Sequence, residues 1–382
     1  MRVSITFDST GSQGQTRRLR VFTEADCLVN GQQRSKMTLS AIGIRSAENF
    51  FFFNQATCMS ISKRNFLALS AAAGASMALP AWAQGKPLFD TLNMFVPAAP
   101  GGGWDGTARA IERAAKAAGL VGNMQFENVG GAGGMVGLPR FVNQRKGQGN
   151  ILMVGGSVMI GAGIANKSPV TIKNVIPIAR LTEEAGVIVV PTAGKIKTWK
   201  ELEAALKANP KAVSVAGGSA GGTDHLILGM MIKALGKNPR EAAYVAFAGG
   251  GPANAAILGN QVVAGISGYS EFEEQIKAGK MIPLAVSGKS RIPGVNVPTL
   301  TELGISVSES NWRGVFAAPG ISDAQRNALI EFVTRLSQSA AWKQELETRK
   351  WTNAFMTERP FERDLAKDIA DKEVLMKELG LA

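Results

Sequence analysis

The 382-residue chain holds one histidine, His225, and only two cysteines, Cys27 and Cys58. Past residue 58 the histidine stands alone, so a Cys/His zinc site, which draws on three or four of these side chains, has no ligand set there. Both cysteines precede residue 59, so the rest of the chain has no disulfide and must rely on packing. Beyond residue 84 no apolar run approaches the ~20 residues of a membrane-spanning helix. Repeats of fixed period and low-complexity tracts are missing there as well. The full chain is 45% hydrophobic, 19% charged and rich in glycine, a composition for a globular protein with room for two domains.

Residues 59–83 read MSISKRNFLALSAAAGASMALPAWA. Lys63 and Arg64 make a basic start, Phe66–Leu79 an apolar stretch too short to span a bilayer, and Ala81-Trp82-Ala83 a cleavage triplet. This is the pattern of an export signal cleaved after Ala83, and it places the product in the periplasm. The segment SKRNFL also approaches a twin-arginine signal, with Lys63 in place of the first arginine. A signal works from the N-terminus, so Met59 is expected to be the start and 1–58 an over-extended, unstructured leader. The formal charge of +12 falls to +7 when 1–83 is set aside. Scattered basic residues without aromatic partners give no nucleic-acid footprint, but their mild excess favours an anionic solute.

From Leu88 onward, short apolar runs alternate with helical patterns, which implies parallel strands and crossover helices. LNMFVP (92–97), MQFENV (124–129) and ILMVGG (151–156) read as strands, each followed by a helix. IPIARLTEEAGVIVVP (176–191) reads as a pair of strands at a first crossing between domains. A second α/β series follows, with a Thr198–Glu201 capping box and strands at 212–218, 242–247, 261–267 and 282–287. NWRGVFAAPG (311–320) reads as a return strand, and Ser322 caps a long amphipathic helix carrying Leu329, Phe332, Val333 and Leu336.

Two motifs suggest catalysis and fail on inspection. Gly101, Gly103 and Gly106 spell G-x-G-x-x-G, with Glu127 further on, but in a dinucleotide site the first glycine follows the strand closely, whereas here Pro97 and Pro100 stiffen the approach and three consecutive glycines let backbone N–H groups face a ligand. Gly217-Gly218-Ser219-Ala220-Gly221 spells G-x-S-x-G, yet the one histidine follows Ser219 by six residues on the same helix, poorly placed as its base. No cofactor or metal is expected. The informative feature is recurrence: PGGGWD, GGAGG, GGSAGGT and AGGGP all lie where a strand hands over to a helix. Each presents backbone N–H groups at the positive end of a helix dipole, and four of them suit a ligand with more than one carboxylate.

Together with their order, PAAPGGGWDGTAR, ENVGGAGGMVGL, GGSAGGTDHL, FAGGGPANAAILGNQV and NWRGVFAAPG resemble the solute receptors of tripartite tricarboxylate transporters, particularly their tricarboxylate branch. The resemblance covers essentially all of 84–382. It implies an α/β type II periplasmic-binding-protein fold, with 84–187 plus 310–382 as one domain, 188–309 as the other, and a ligand cleft and hinge between them. Carried onto this sequence, the ligand-binding residues are Pro100, Gly101, Gly102, Gly103, Trp104 and Asp105, then Gly131, Ala132, Gly133 and Gly134, then Ser157. From the second domain come Ser219, Ala220, Gly221, Gly222 and Thr223, with Gly249, Gly250 and Gly251. Gly130 departs from the family, where proline is common before this loop.

Some side chains admit two roles. Trp104 could wall the pocket or pack into the core. Asp105 is read as fixing its loop or touching a ligand hydroxyl, Arg109 as pairing with Asp105, and Arg313 as a possible cation at the hinge. The resemblance implies a monomeric, exported receptor that closes on a citrate-like di- or tricarboxylate and delivers it to a transporter with large and small membrane subunits. Two alternatives stay open: a receptor for an aromatic or amino-acid carboxylate serving a sensor or another permease, and an esterase using Ser219.

Overall fold

The computed structural model describes residues 86–382, together with two short strands nearer the N-terminus, β1 (Arg2–Thr6) and β2 (Arg20–Glu24). These two pair antiparallel, in a region where the sequence suggested no structure; β-branched residues at alternate positions favour the extended form. The export segment 59–83 and the remainder of 1–58 lie outside the described residues.

From Phe89 the chain builds a parallel sheet. β3 (Phe89–Val96) pairs with β4 (Val121–Asn128) on one side and β5 (Ile151–Gly156) on the other. Parallel neighbours need a crossover, and the crossovers carry α1 (Gly103–Ala117) and α2 (Gly137–Gln144). In α1, Trp104, Ala108, Ile111 and Ala115 recur at helical spacing and are buried on one face. α3 (Ser157–Ala165) follows β5 directly.

Residues 176–191 form one continuous strand, β6 (Ile176–Pro191), where the sequence suggested two. The physical reason is in the stretch itself: RLTEEAG has no turn-forming pair, and the strand keeps partners along its whole length. Its first half pairs with β11 (Ser310–Ala317) and β12 (Thr352–Thr357), and its second half with β9 (Ala264–Gly268) and β10 (Met281–Val286). β6 thus belongs to two lobes at once.

The second lobe comprises α4 (Trp199–Ala208), β7 (Val215–Gly217), α5 (Thr223–Ala234), β8 (Tyr244–Ala246), α6 (Gly250–Leu258), β9, α7 (Tyr269–Lys277) and β10. The return strand β11 inserts between β5 and β6, and α8 (Asp323–Gln338), α9 (Ala340–Arg349) and α10 (Glu358–Leu379) complete the chain. Phe95, Phe141, Phe316, Phe332 and Trp342 lie in one apolar core, while Leu202, Ile227, Met231 and Leu284 lie in another. α10 belongs to both sides: Phe361 and Leu365 pack into the first core, and Met376 and Leu379 meet Leu226 of α5. No helix among the described residues is long and apolar enough to cross a membrane.

The β5–β11 pairing depends on a close approach. Arg313 stands opposite Gly156, and a Cβ at Gly156 would lie 2.2 Å from the Trp312 carbonyl oxygen. Gly156→Ala should therefore push the strands apart and destabilise the protein by about 1–3 kcal/mol, the range for overpacking a filled core. Thermal unfolding checks this: the midpoint should fall by several degrees, and an unchanged midpoint would show that the strands yield there without cost.

Candidate functional site

The strand-to-helix turns of the two lobes meet at one cavity of about 700 Å³, its open mouth included. α1 starts at its wall from the first lobe, and α5 and α6 from the second. The residues at the starts of these helices are Gly102, Gly222 and Gly249, and none makes a side-chain capping bond. Elsewhere Thr198, Ser322 and Ser339 cap α4, α8 and α9 through their hydroxyls, while α2 and α10 have no side-chain cap. A glycine has no oxygen to offer, so the orphan N–H groups and positive dipole ends of α1 and α5 are left toward the cavity, while at α6 the Gly250 N–H bonds the Glu271 carboxylate.

In the first loop Gly102, Gly103 and Trp104 line the cavity, whereas Pro100, Gly101 and Asp105 do not; Pro97, Ala98 and Ala99 line it instead. Asp105 holds the loop. It accepts the Gly101 N–H at 3.0 Å and the Asn128 Nδ2 at 3.0 Å, and lies 3.6 Å from Arg109 Nε. Trp104 does two things, packing in the first core at 7% exposure while presenting an edge to the cavity. Gly131, Ala132, Gly133 and Gly134 all line the wall. Gly133 has φ +63°, and a Cβ there would stand 2.4 Å from the Ala162 methyl, so this position needs glycine on both conformational and steric grounds.

Ser157 is buried behind the lining, where its Oγ accepts a bond from Thr223 Oγ1 at 3.3 Å. That bond joins the lobes. From the second lobe Ser219, Gly222, Thr223, Gly249 and Gly250 reach the cavity, while Ala220, Gly221 and Gly251 do not. The Gly221 N–H donates to Nδ1 of His225 at 3.2 Å, and the imidazole stacks on Tyr244 at 4.2 Å. His225 therefore packs and holds its own turn, and is not turned to activate Ser219.

The lining also contains three ionisable side chains, Asp224, Glu271 and Arg313. Arg313, on β11, is 1% exposed; its Nη2 lies 2.7 Å from Glu184 Oε2 and 3.5 Å from Glu271 Oε1. Glu184, on β6, uses its other oxygen to accept the Ser270 N–H at 2.7 Å, which caps the start of α7. Burial raises the Glu271 carboxyl above the ordinary range, and the Arg313 guanidinium opposes that shift. Asp224 accepts the Gly218 N–H at 2.8 Å, yet burial still takes its carboxyl up to about 7. His225, also desolvated, falls to about 4.

Sequence reasoning did not find Glu184, Asp224, Glu271, Ser267 or Asn311. Glu184 left no signal, since it lies with Arg180, Thr182 and Glu183 in the polar middle of β6. Glu271 left none either: in YSEFEEQIK it reads as part of a solvated helix face.

Comparisons with known proteins agree with this architecture. The family profile described as tripartite tricarboxylate transporter family receptor matches residues 108–381. Protein BugT of Bordetella pertussis is 27% identical over 236 residues, covering 60% of this chain and 71% of that protein. Among solved structures, MatC from Rhodopseudomonas palustris with bound malate is 24% identical with a TM-score of 0.61, covering 77% of this chain and 97% of that one. A second R. palustris protein, solved with adipate, is 20% identical with a TM-score of 0.68, covering 76% and 97% respectively. The fold is that of the two-domain periplasmic binding proteins.

Asp224 and His225 oppose each other in pH. The folded state holds the Asp224 proton that the unfolded chain releases, so this carboxyl's contribution is lost as pH rises from about 4 to about 7. Neutral His225 stabilises the fold above pH 6.5, and that contribution is lost as pH falls toward about 4. His225→Gln should therefore gain thermal stability relative to the parent protein as pH is lowered from 6.5 toward 4. Melting curves of the two proteins across this range check the sign, and a difference independent of pH would refute it.

Proposed function

Because the chain belongs to the tripartite tricarboxylate transporter receptor family, we propose that it captures a citrate-like di- or tricarboxylate between its lobes. Members of this family are periplasmic solute-binding receptors, not enzymes, and deliver small carboxylates to a transporter. In our reading the lobes, 84–187 with 310–382 and 188–309, close on the ligand. The export segment is removed after Ala83, and the loaded monomer docks on a transporter of one large and one small membrane subunit.

One observation carries the choice of ligand class. Three helices from two lobes open on a single cavity with glycines at their caps, while α4 and α8, away from it, are capped by hydroxyls. A carboxylate oxygen accepting these N–H groups gains charge-assisted bonds worth about 1.5–3 kcal/mol each against its desolvation. Several such places suit a ligand with more than one carboxylate. The malate and adipate in the related structures are dicarboxylates of this kind.

A thermal-shift screen of the purified protein tests the reading. Citrate, malate, succinate and adipate should include ligands that raise the melting midpoint by several degrees, as a ligand bound only to the folded state must. Stabilisation by aromatic monocarboxylates alone would overturn it. The cavity itself can be tested at Gly103, where a Cβ would lie 2.8 Å from both Arg313 Nη2 and Glu271 Oε1. Gly103→Ala should bind the best acid of the screen at least tenfold more weakly while melting within a few degrees of the parent; undiminished binding would move the ligand elsewhere.

A further inference from the structure

We propose that the receptor takes up a proton together with its carboxylate ligand, and that Asp224 is the group that holds it. This rests on the carboxylate-receptor reading and adds to it the form in which the ligand is captured, an acid anion with one hydrogen ion.

The cavity is over-supplied with acids before any ligand enters. Arg313 is the one cation among the side chains that line it, against Asp224 and Glu271 on the same wall and Glu184 at the same guanidinium. Two of these three acids are compensated. Glu184 lies 2.7 Å from Arg313 Nη2 and accepts the Ser270 N–H. Glu271 lies 3.5 Å from it and takes the Gly250 N–H and the Ser267 hydroxyl as well.

Asp224 is the acid left over. It forms no ion pair among the described residues, and its carboxylate accepts one hydrogen bond, from the Gly218 N–H at 2.8 Å. The Tyr244 hydroxyl of β8 donates to the Gly218 carbonyl, and His225 beside it on α5 accepts the Gly221 N–H; neither bonds Asp224. Burial, with Glu271 and Glu184 nearby, raises the Asp224 carboxyl to about 7, against the Gly218 N–H and the more distant Arg313.

A ligand carboxylate adds to this imbalance. Asp224 lies in the first turn of α5, so it draws on the same positive helix end that the ligand would use. Two carboxylates sharing one site raise the pKa of one of them, and the uncompensated side chain is the one to yield. Protonation turns the repulsion into a bond: neutral Asp224 donates its O–H to a ligand oxygen, and its other oxygen keeps the Gly218 N–H. The proton comes from water and returns there on release, with no change in the ligand's covalent bonds.

Isothermal titration of the full protein with citrate, malate, succinate and adipate tests the proposal. Titrations at about pH 8, above the Asp224 value of about 7, are run in phosphate and in Tris, whose ionisation enthalpies differ, and in sodium and potassium salts. The acids that bind should take up about half a proton or more, so their affinity should fall about threefold or more per pH unit above ~7. Asp224→Asn, which keeps the shape of the protonated acid, should abolish the uptake and flatten that profile. A measurement on the parent needs no variant to fold: adding isotope-labelled succinate should bring up the unlabelled C=O absorption of a protonated carboxyl in the infrared difference spectrum. Tight binding without proton uptake, uptake that persists in Asp224→Asn, or a requirement for sodium in place of the proton would overturn the proposal and leave the receptor reading intact. Binding of none of the four acids would remove both.

Discussion

The buried ion pair of Arg313 with Glu184 fixes where the two lobes meet. Both residues lie on the strands that run between them, β11 and β6, and Asn311 of β11 stands directly opposite Glu184 in the ladder. One Glu184 oxygen faces Arg313, and the other accepts the Ser270 N–H at the start of α7. A single carboxylate on a shared strand therefore sets the position of a helix in one lobe against a cation in the other. Such pairs add little net stability when complete, yet removing one partner costs about 3–5 kcal/mol, because the other is left buried and uncompensated. The surroundings are built around it. A Cβ at Gly268 would lie 2.4 Å from Glu184 Oε2, so the turn before α7 leaves room for the carboxylate by having no side chain.

From that junction the cavity follows. With β6 and β11 paired, β5 ends at Gly156 beside Arg313, and the first turn of α7 brings Glu271 to 3.5 Å from the same guanidinium. The helix starts at Gly102, Gly222 and Gly249 then face the same space from opposite sides. Glycine at those ends forgoes only about a few tenths of a kcal/mol per helix relative to a serine or aspartate cap. The glycines are not economies of a tight turn alone, since hydroxyl caps are used freely at α4, α8 and α9. Binding potential is placed where the ligand, not the chain, completes the helix ends.

Much of this was legible beforehand, and the part that was not has a physical explanation. Strand–glycine–helix junctions advertise themselves because turn chemistry is local, so the four loops and most of their lining residues could be read from their own neighbourhoods. The 16-residue β6 was misread because strands of that length are uncommon and a hairpin is the usual resolution; the missing turn residues in RLTEEAG were the contrary signal. Glu184, Asp224 and Glu271 were missed for a different reason. Each looks like an ordinary surface charge along the chain, and only tertiary folding brings them around Arg313. Asp105 illustrates the middle case: its place at a helix start was visible, and its bonds to Gly101 and Asn128 explain why the carboxylate anchors the loop and does not line the cavity.

The contacts between the lobes also differ in kind from one side of the cavity to the other. Beside the cavity they are polar: the Arg313–Glu271 contact at 3.5 Å, the Ser157–Thr223 bond, and the Gly221 carbonyl lying so close to Gly161 that a Cβ there would be 2.0 Å away. At the α10 side they are apolar, with Met376 and Leu379 against Leu226 and a Cβ at Gly229 only 3.1 Å from a Leu379 methyl. Parting a hydroxyl pair returns both groups to water at a net cost of about 1 kcal/mol, while exposing buried leucine and methionine costs about 1.5–3 kcal/mol for each side chain. Apolar packing along α10 therefore resists separation more than the hydroxyl pair does, and α10 is a side on which the two lobes are held together.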